Sequence, residues 1–427
     1  MLSREDNELL TRTDAGTPMG ELMRRYWLPA LLSEEIPAPD CPPVRVRMLG
    51  EELVAFRDTQ GRIGLLGEHC AHRGTSLFYG RNEECGLRCV YHGWKFDVEG
   101  RVLDTPAEPG DSEFKNKLRH TAYPTREANG VIYAYLGPRD RMPLFPNYEW
   151  TQVPLEQSYV TKSLLECNYL QGLEGECDSS HLSFLHRSFT DERNQLLYKS
   201  DTAPAYETEE TDFGVRLIAT RTHDNRHYVR FSAFVMPVYG CVPAGRPTNE
   251  MEGYEIHTYV PADDTRCWRY DIGFRRDRAV RDDEVHRKKQ IKADYTRIRN
   301  ARNDYLQDRR MQKTVNFTGI EDFLNHDACA TESMGPICDR TKEHLGVSDK
   351  AVIAVRKFLL ASVKAMQNGK EPPHIVRDQE RNWFPHIDCF ACLLPRDASW
   401  RQRFDYFTAT AVKENPASYA ARRKAAS

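Results

Sequence analysis

The chain has 427 residues, 29% of them charged, and a formal net charge of −3. That length suits two or three domains, and no apolar run approaches the ~20 residues needed to span a bilayer. The near-balanced charge offers nothing to nucleic acid or an anionic membrane, so neither is expected as a partner.

The first residues, MLSREDNELL, lack the apolar core of a secretory signal. A cytoplasmic location is therefore expected, with the twelve cysteines reduced rather than paired. Residues 1–40 read as a helical segment: "TPMGELMRRYWLPALLSEEIP" spaces Leu22, Met23 and Tyr26 at helical intervals, interrupted at Pro29. From about residue 43 the period changes to two. "VRVRMLGEELVAFRDTQGRIGLL" alternates around a turn at Asp58–Gly61, and "WKFDVEGRVLD" repeats that grammar around Glu99-Gly100. "GVIYAYLGP" closes a small antiparallel β domain over 41–145, ending in a linker-like "RDRMPLFPNYEW".

A larger unit, 146–427, follows. It opens on the strand-like "SYVTKSLL" and the helix-like "ECNYLQGLEGECDSSHLSFLHRSF". Four alternating segments come next: "GVRLIATRTHD", "YVRFSAFVMPVY", "YEIHTYVPA" and "RCWRYDIGF". Residues 276–311 interleave basic and acidic side chains, which predicts a solvated helix or mobile loop. Helices end the chain, among them "KAVIAVRKFLLASVKAM".

The chemistry concentrates in "CAHRGTSLFYGRNEECGLRCVYHGWKF", where Cys70 and His72 form one claw and Cys89 and His92 a second. One such pair would be read as ordinary core or surface residues; two, each flanked by a glycine, would not. Structural zinc accepts two Cys and two His, but common fingers place like ligands in the same claw. Mixed claws suit a Rieske [2Fe–2S] cluster, in which the cysteines hold one iron and the histidines the other. The pattern C-x-H-x16-C-x2-H, as "CAHRG" and "CVYHGW", resembles the Rieske domain of the Rieske non-haem iron oxygenases. From "EDNELLTRTDAGTPMGELMRRYWLPA" through "ESMGPICDRTKEHLG" to "NGKEPP", the chain is similar to the phthalate dioxygenase branch.

The resemblance implies an α+β fold: an N-terminal antiparallel β Rieske domain, then an α+β helix-grip catalytic domain holding mononuclear non-haem Fe(II). "GLEGECDSSHLSFLHRS" resembles the iron-binding helix of the family, giving His181 and His186 as ligands. Their spacing of five puts them about 140° apart on an ideal helix, so a local irregularity or a helix end has to bring both rings to one metal. "GIEDFLNHDACATESMGPICDRTKEHLG" resembles the segment in which the family carries its carboxylate, which implies Asp327 as the third ligand, with Asp322 in reserve; the neighbouring His326 is read as lining or solvent-facing. Asp178 is implied to join a cluster histidine of one subunit to His181 of another, which requires an oligomer, a homotrimer in this branch. The resemblance also implies a separate NAD(P)H-dependent reductase, with flavin and a ferredoxin centre, as the source of electrons. The expected substrates are O₂ and a carboxylated aromatic, dihydroxylated in cis; O-demethylation of a methoxylated aromatic acid is the alternative. Arg216, Arg221, Arg230, Arg246 and Arg269 are candidates for the carboxylate, with none singled out. A Rieske electron carrier is the reading from another class, and residues 146–427 argue against it. Cys389 and Cys392, a lone C-x2-C, are read as buried core.

Overall fold

A computed structural model describes residues 1–109, 113–190, 201–244, 252–276, 278–285 and 289–413. The N-terminus begins as the sequence predicts. Ser3 caps a helix over Arg4–Thr11 by accepting the Asp6 N–H, and Thr17 caps Pro18–Met23 by accepting that of Gly20. The helical reading then fails. Trp27–Leu32 is a strand, buried at every position, paired antiparallel with Val131–Tyr135, which also pairs with Thr125–Ala128. An unbroken apolar run carries no period, so a partner far along the chain decides its conformation. The register shifts just after Pro29, a residue with no N–H to give.

Two further antiparallel sheets complete the small β region. One runs Val44–Met48, Glu51–Arg57, Ile63–Gly67, and the other Arg81–Glu83, Gly86–Arg88, Lys95–Phe96, Val102–Asp104. The two predicted turns share one device. Asp58 Oδ1 accepts the N–H groups of Gln60 and Arg62 at 3.0 and 2.9 Å, and Asp97 Oδ1 those of Glu99 and Arg101 at 2.9 and 2.8 Å. A small core of Val54, Phe56, Leu66, Leu87, Trp94 and Phe96, separate from the main one, encloses Cys70 and Cys89. The segment read as a linker is instead packed inward: Tyr148 and Trp150 are buried and stacked at 4.2 Å.

The second half is built on one antiparallel sheet, in the order Ser158–Leu165, Arg266–Phe274, Tyr254–Asp263, Tyr239–Pro243, Arg226–Val235, Gly214–His223, Ala205–Glu210. Ala391–Pro395 also pairs with Arg226–Val235. The helices Tyr169–Cys177 and Lys350–Gln367 pack on this sheet and on each other. The mixed-charge run is not a solvated helix. It holds short turns at Asp282–Glu284 and Ala301–Leu306, while Arg276 and Arg297 are buried. Arg276 pairs with Glu149 at 2.7 Å and Asp388 at 3.1 Å, and Arg297 donates to Ser163 Oγ at 3.0 Å. Those partners come from distant segments, which a local charge pattern does not reveal. Cys389 and Cys392 are buried, as read. Among the described residues no helix is long and apolar enough to cross a membrane.

Candidate functional site

The two claws fold as copies of one loop. The Cys70 N–H donates to the Thr75 carbonyl at 2.9 Å, and the Gly74 N–H returns to the Cys70 carbonyl at 2.9 Å. The second loop repeats this with Cys89 to Trp94 at 2.8 Å and Gly93 to Cys89 at 3.1 Å. Gly74 and Gly93 both sit at φ +75°, which L side chains rarely adopt. At Gly93 an added Cβ would also lie 2.6 Å from the Pro106 ring. The loops bury both cysteines and leave both histidines half-exposed, with imidazole centroids 4.5 Å apart. Trp94 stacks on His72 at 4.6 Å and 4°. Burial, with Cys89 close by, pushes the Cys70 thiol up to about 11. Without a cation to replace its proton, that sulfur stays a thiol at neutral pH.

The second site forms where the helix Tyr169–Cys177 stops. The Asp178 N–H closes the last turn on the Glu174 and Gly175 carbonyls, and a short 3₁₀ turn over His181–Ser183 follows. His181 and His186 are therefore not on one ideal helix, and the awkward spacing disappears. Asp327 arrives from the helix Phe323–Glu332, and the three residues place ligand atoms within 4.8 Å of one another. Asp322 does not join them. It caps that helix by accepting the Leu324 N–H at 3.0 Å. His326 does not face solvent: it is buried, with its Nδ1 3.2 Å from His186 Nδ1.

Burial pushes His186 down to about 4, leaving a neutral imidazole at pH 7. Against the upward push of burial, His186 and Arg269 hold the Asp327 carboxyl well below the usual range. Arg269 Nη1 donates to Asp327 Oδ2 at 3.3 Å, and Arg269 itself is fixed by Asp271 at 2.8 Å and Glu176 at 3.2 Å. Of the candidate arginines it is thus an internal brace, and Arg216 pairs with Glu209 at 2.9 Å. Arg246 lies outside the described residues. Sequence reading missed the part played by Arg269, since alternation places Arg269 and Asp271 on one face without saying what they meet.

Asp178 sits at the edge of the centre. Its Oδ1 accepts the Ser180 N–H at 2.7 Å and the Tyr206 O–H at 3.1 Å, and its Oδ2 accepts the His181 N–H at 3.3 Å. The same Oδ2 stands 3.6 Å from His181 Nδ1. Beside His181 opens a cavity of about 380 Å³, lined among others by Phe184, Leu185, Phe317, Ile320 and Cys329.

Comparison with known proteins decides the family. Residues 134–420 match the description "LigXa C-terminal domain like", and residues 26–121 match "Rieske [2Fe-2S] domain". The chain belongs to the Rieske non-haem iron oxygenases. This Rieske oxygenase is 40% identical over 422 residues to the phthalate 4,5-dioxygenase oxygenase subunit of Pseudomonas putida, covering 94% of each chain. It is 35% identical over 431 residues to the 3-chlorobenzoate-3,4-dioxygenase oxygenase subunit of Comamonas testosteroni, covering 95% of this chain and 98% of that one. Its fold is shared with crystalline dicamba monooxygenase at a TM-score of 0.60 and 16% identity, over 82% of this chain and 99% of the other.

The oxygenase subunits of this family carry a Rieske cluster and a mononuclear iron, and the side chains present fit both. His72 Nδ1 is buried with no hydrogen-bond partner among the described residues, and the buried His186 Nε2 stands 2.9 Å from Asp327 Oδ1 out of hydrogen-bond alignment; a metal ion relieves both. At the cluster, His92→Cys would exchange a neutral imidazole for a thiolate. A redox titration is expected to find the potential lowered by on the order of 100 mV or more. A zinc signal with no iron would overturn the cluster.

Proposed function

We propose that this chain is the terminal oxygenase component that adds both atoms of O₂ to the ring of a carboxylated aromatic, as a cis-dihydrodiol. Cys70, His72, Cys89 and His92 hold the [2Fe–2S] cluster; His181, His186 and Asp327 hold the mononuclear iron. The cluster supplies single electrons, and Fe(II) on three protein ligands keeps positions open for oxygen. Electrons come from a separate NAD(P)H-dependent flavin and ferredoxin reductase, which places the system in the cytoplasm.

One observation carries the substrate class. Arg221 is buried and Arg230 partly so, on adjacent strands with their side chains on one face. Among the described residues neither has a carboxylate partner, and the Nε of each is buried without a hydrogen bond. Burial, with Arg230 adding its charge, lowers Arg221 to about 10. Arg221 Nη1 donates to Ser179 Oγ at 3.0 Å, and its other terminal nitrogen to the Ser179 carbonyl. Ser179 lies between Asp178 and His181, so this charge, which has only the more distant Asp178 carboxylate acting on it among the described residues, stands next to the metal site. A substrate carboxylate supplies the missing anion and orients the ring.

The test is turnover with phthalate, 3-chlorobenzoate and other aromatic acids. Losing a charge-assisted hydrogen bond costs about 1.5–3 kcal/mol. Arg221→Met is therefore expected to raise KM roughly 10- to 100-fold with kcat less affected. An unchanged KM for every acid turned over would overturn the assignment, and formaldehyde from a methoxylated acid would make demethylation the reaction.

Two exposed apolar groups support the oligomer. Val90 and Tyr91 are exposed on the second cluster loop, and the exposed Phe184, Phe317 and Phe323 stand beside His181 and His186. Different patches on one chain that fit each other make a head-to-tail contact, which forms a ring where the rotation between subunits closes. The homotrimer is that ring.

A further inference from the structure

His186 and His326 face each other through the same nitrogen, Nδ1 to Nδ1 at 3.2 Å, with rings 5.4 Å apart and 21° from parallel. Two N–H groups repel and two lone pairs share nothing, so this contact holds one proton. The far side of His326 says which ring owns it. His326 Nε2 lies 2.8 Å from the Ile320 carbonyl oxygen. A carbonyl only accepts, so His326 Nε2 carries the hydrogen, and a neutral His326 has a bare Nδ1. His186 must then donate from its own Nδ1, which leaves the lone pair on His186 Nε2.

We propose that His326 is a positioning residue that fixes this tautomer and the orientation of His186. The inference rests on reading His186 as an iron ligand. His186 Nε2 is buried and stands 2.9 Å from Asp327 Oδ1, out of alignment for a hydrogen bond. A lone pair facing a carboxylate oxygen at that distance is repulsive, and a cation bound to both removes the repulsion. Phe323 stacks on His186 at 3.5 Å and 8°, so the ring has little freedom to turn away. Phe323, His326 and Asp327 all belong to the helix Phe323–Glu332, and Ile320 lies just before it. One short segment therefore supplies a ligand, the stacking ring that holds the second ligand, and the acceptor that sets its tautomer. Metal-bound histidines usually donate to a carboxylate, a carbonyl or water; here a second imidazole relays the carbonyl.

The test uses the full-length protein with its cluster in place. His326→Leu keeps bulk but has no acceptor, whereas His326→Gln can accept from His186 and donate to Ile320. Fe(II) affinity is measured by chelator competition, with Co(II) spectra as a second readout of ligand geometry. Cluster absorbance reports folding; where leucine does not fold, phenylalanine, which keeps a ring without nitrogens, takes its place. The apolar variant is expected to bind Fe(II) about 10- to 100-fold more weakly, with a shifted Co(II) spectrum, and glutamine to restore most of both. Wild-type affinity in the apolar variant, with iron lost in His186→Ala, would overturn the relay alone. Glutamine as weak as the apolar variant would reduce His326 to a packing role. Iron retained by His186→Ala would remove the ligand assignment and the relay with it.

Discussion

Asp327→Ala and His186→Ala are each expected to lose about one iron per chain and all oxygenation, while the visible spectrum of the cluster survives. Two remaining ligands are too few to hold Fe(II) against dialysis. The loss is local because the cluster loops have their own small core around Cys70 and Cys89, separate from the one packed about the second site. Asp327→Ala also takes an anion from Arg269, which keeps Asp271 and Glu176 and so stays buried without unfolding the sheet. Asp322→Ala is the control. It removes a helix cap, costing about 1 kcal/mol of stability, and should leave the iron in place. Iron counts per chain decide the matter: loss in Asp322→Ala with retention in Asp327→Ala would reverse the two roles.

Asp178→Asn is expected to retain both metals and substrate binding yet slow electron transfer from cluster to iron. The amide keeps one oxygen for Ser180 and Tyr206 but turns an NH₂ toward the His181 N–H and Nδ1, where the carboxylate had an acceptor. If Asp178 bridges subunits, as the family resemblance implies, the amide nitrogen at that position would also be unable to accept from a neighbouring subunit's cluster histidine. In a single turnover with reduced enzyme, substrate and O₂, cluster reoxidation should slow on the order of 100-fold or more. Mixed rings sharpen the result. Chains lacking iron through Asp327→Ala, combined with chains lacking the cluster through Cys89→Ala, should regain activity if electrons cross between subunits. Rapid reoxidation in Asp178→Asn would route the path elsewhere, and loss of iron would make Asp178 a ligand.

Much of the chemistry was legible without coordinates, because metal-ligating side chains are few and their loops are local. The order Cys70, His72, Cys89, His92 lies in one stretch whose glycines and turns are set by neighbours, and the loops fold as that grammar suggests. Five strands of the second sheet were legible for the same reason, since alternation over eight to ten residues is a local signal, while the short strands Ala205–Glu210, Tyr239–Pro243 and Ala391–Pro395 were not. Non-local pairing was not legible. Trp27–Leu32 became a strand because Val131–Tyr135 was there to take its hydrogen bonds. Arg276 and Arg297 were buried because Glu149, Asp388 and Ser163 came to meet them. The sequence by itself determined which residues have the chemistry for metal: the cysteine and histidine claws, and, through the family resemblance, His181, His186 and a carboxylate far along the chain. Only the tertiary structure decided that Asp327 converges while Asp322 caps a helix, that Arg269 braces a carboxylate while Arg221 turns to Ser179, and that His326 turns inward to His186. Each of those roles depends on what a side chain meets across the fold, and the energy of such a meeting is written in neither partner alone.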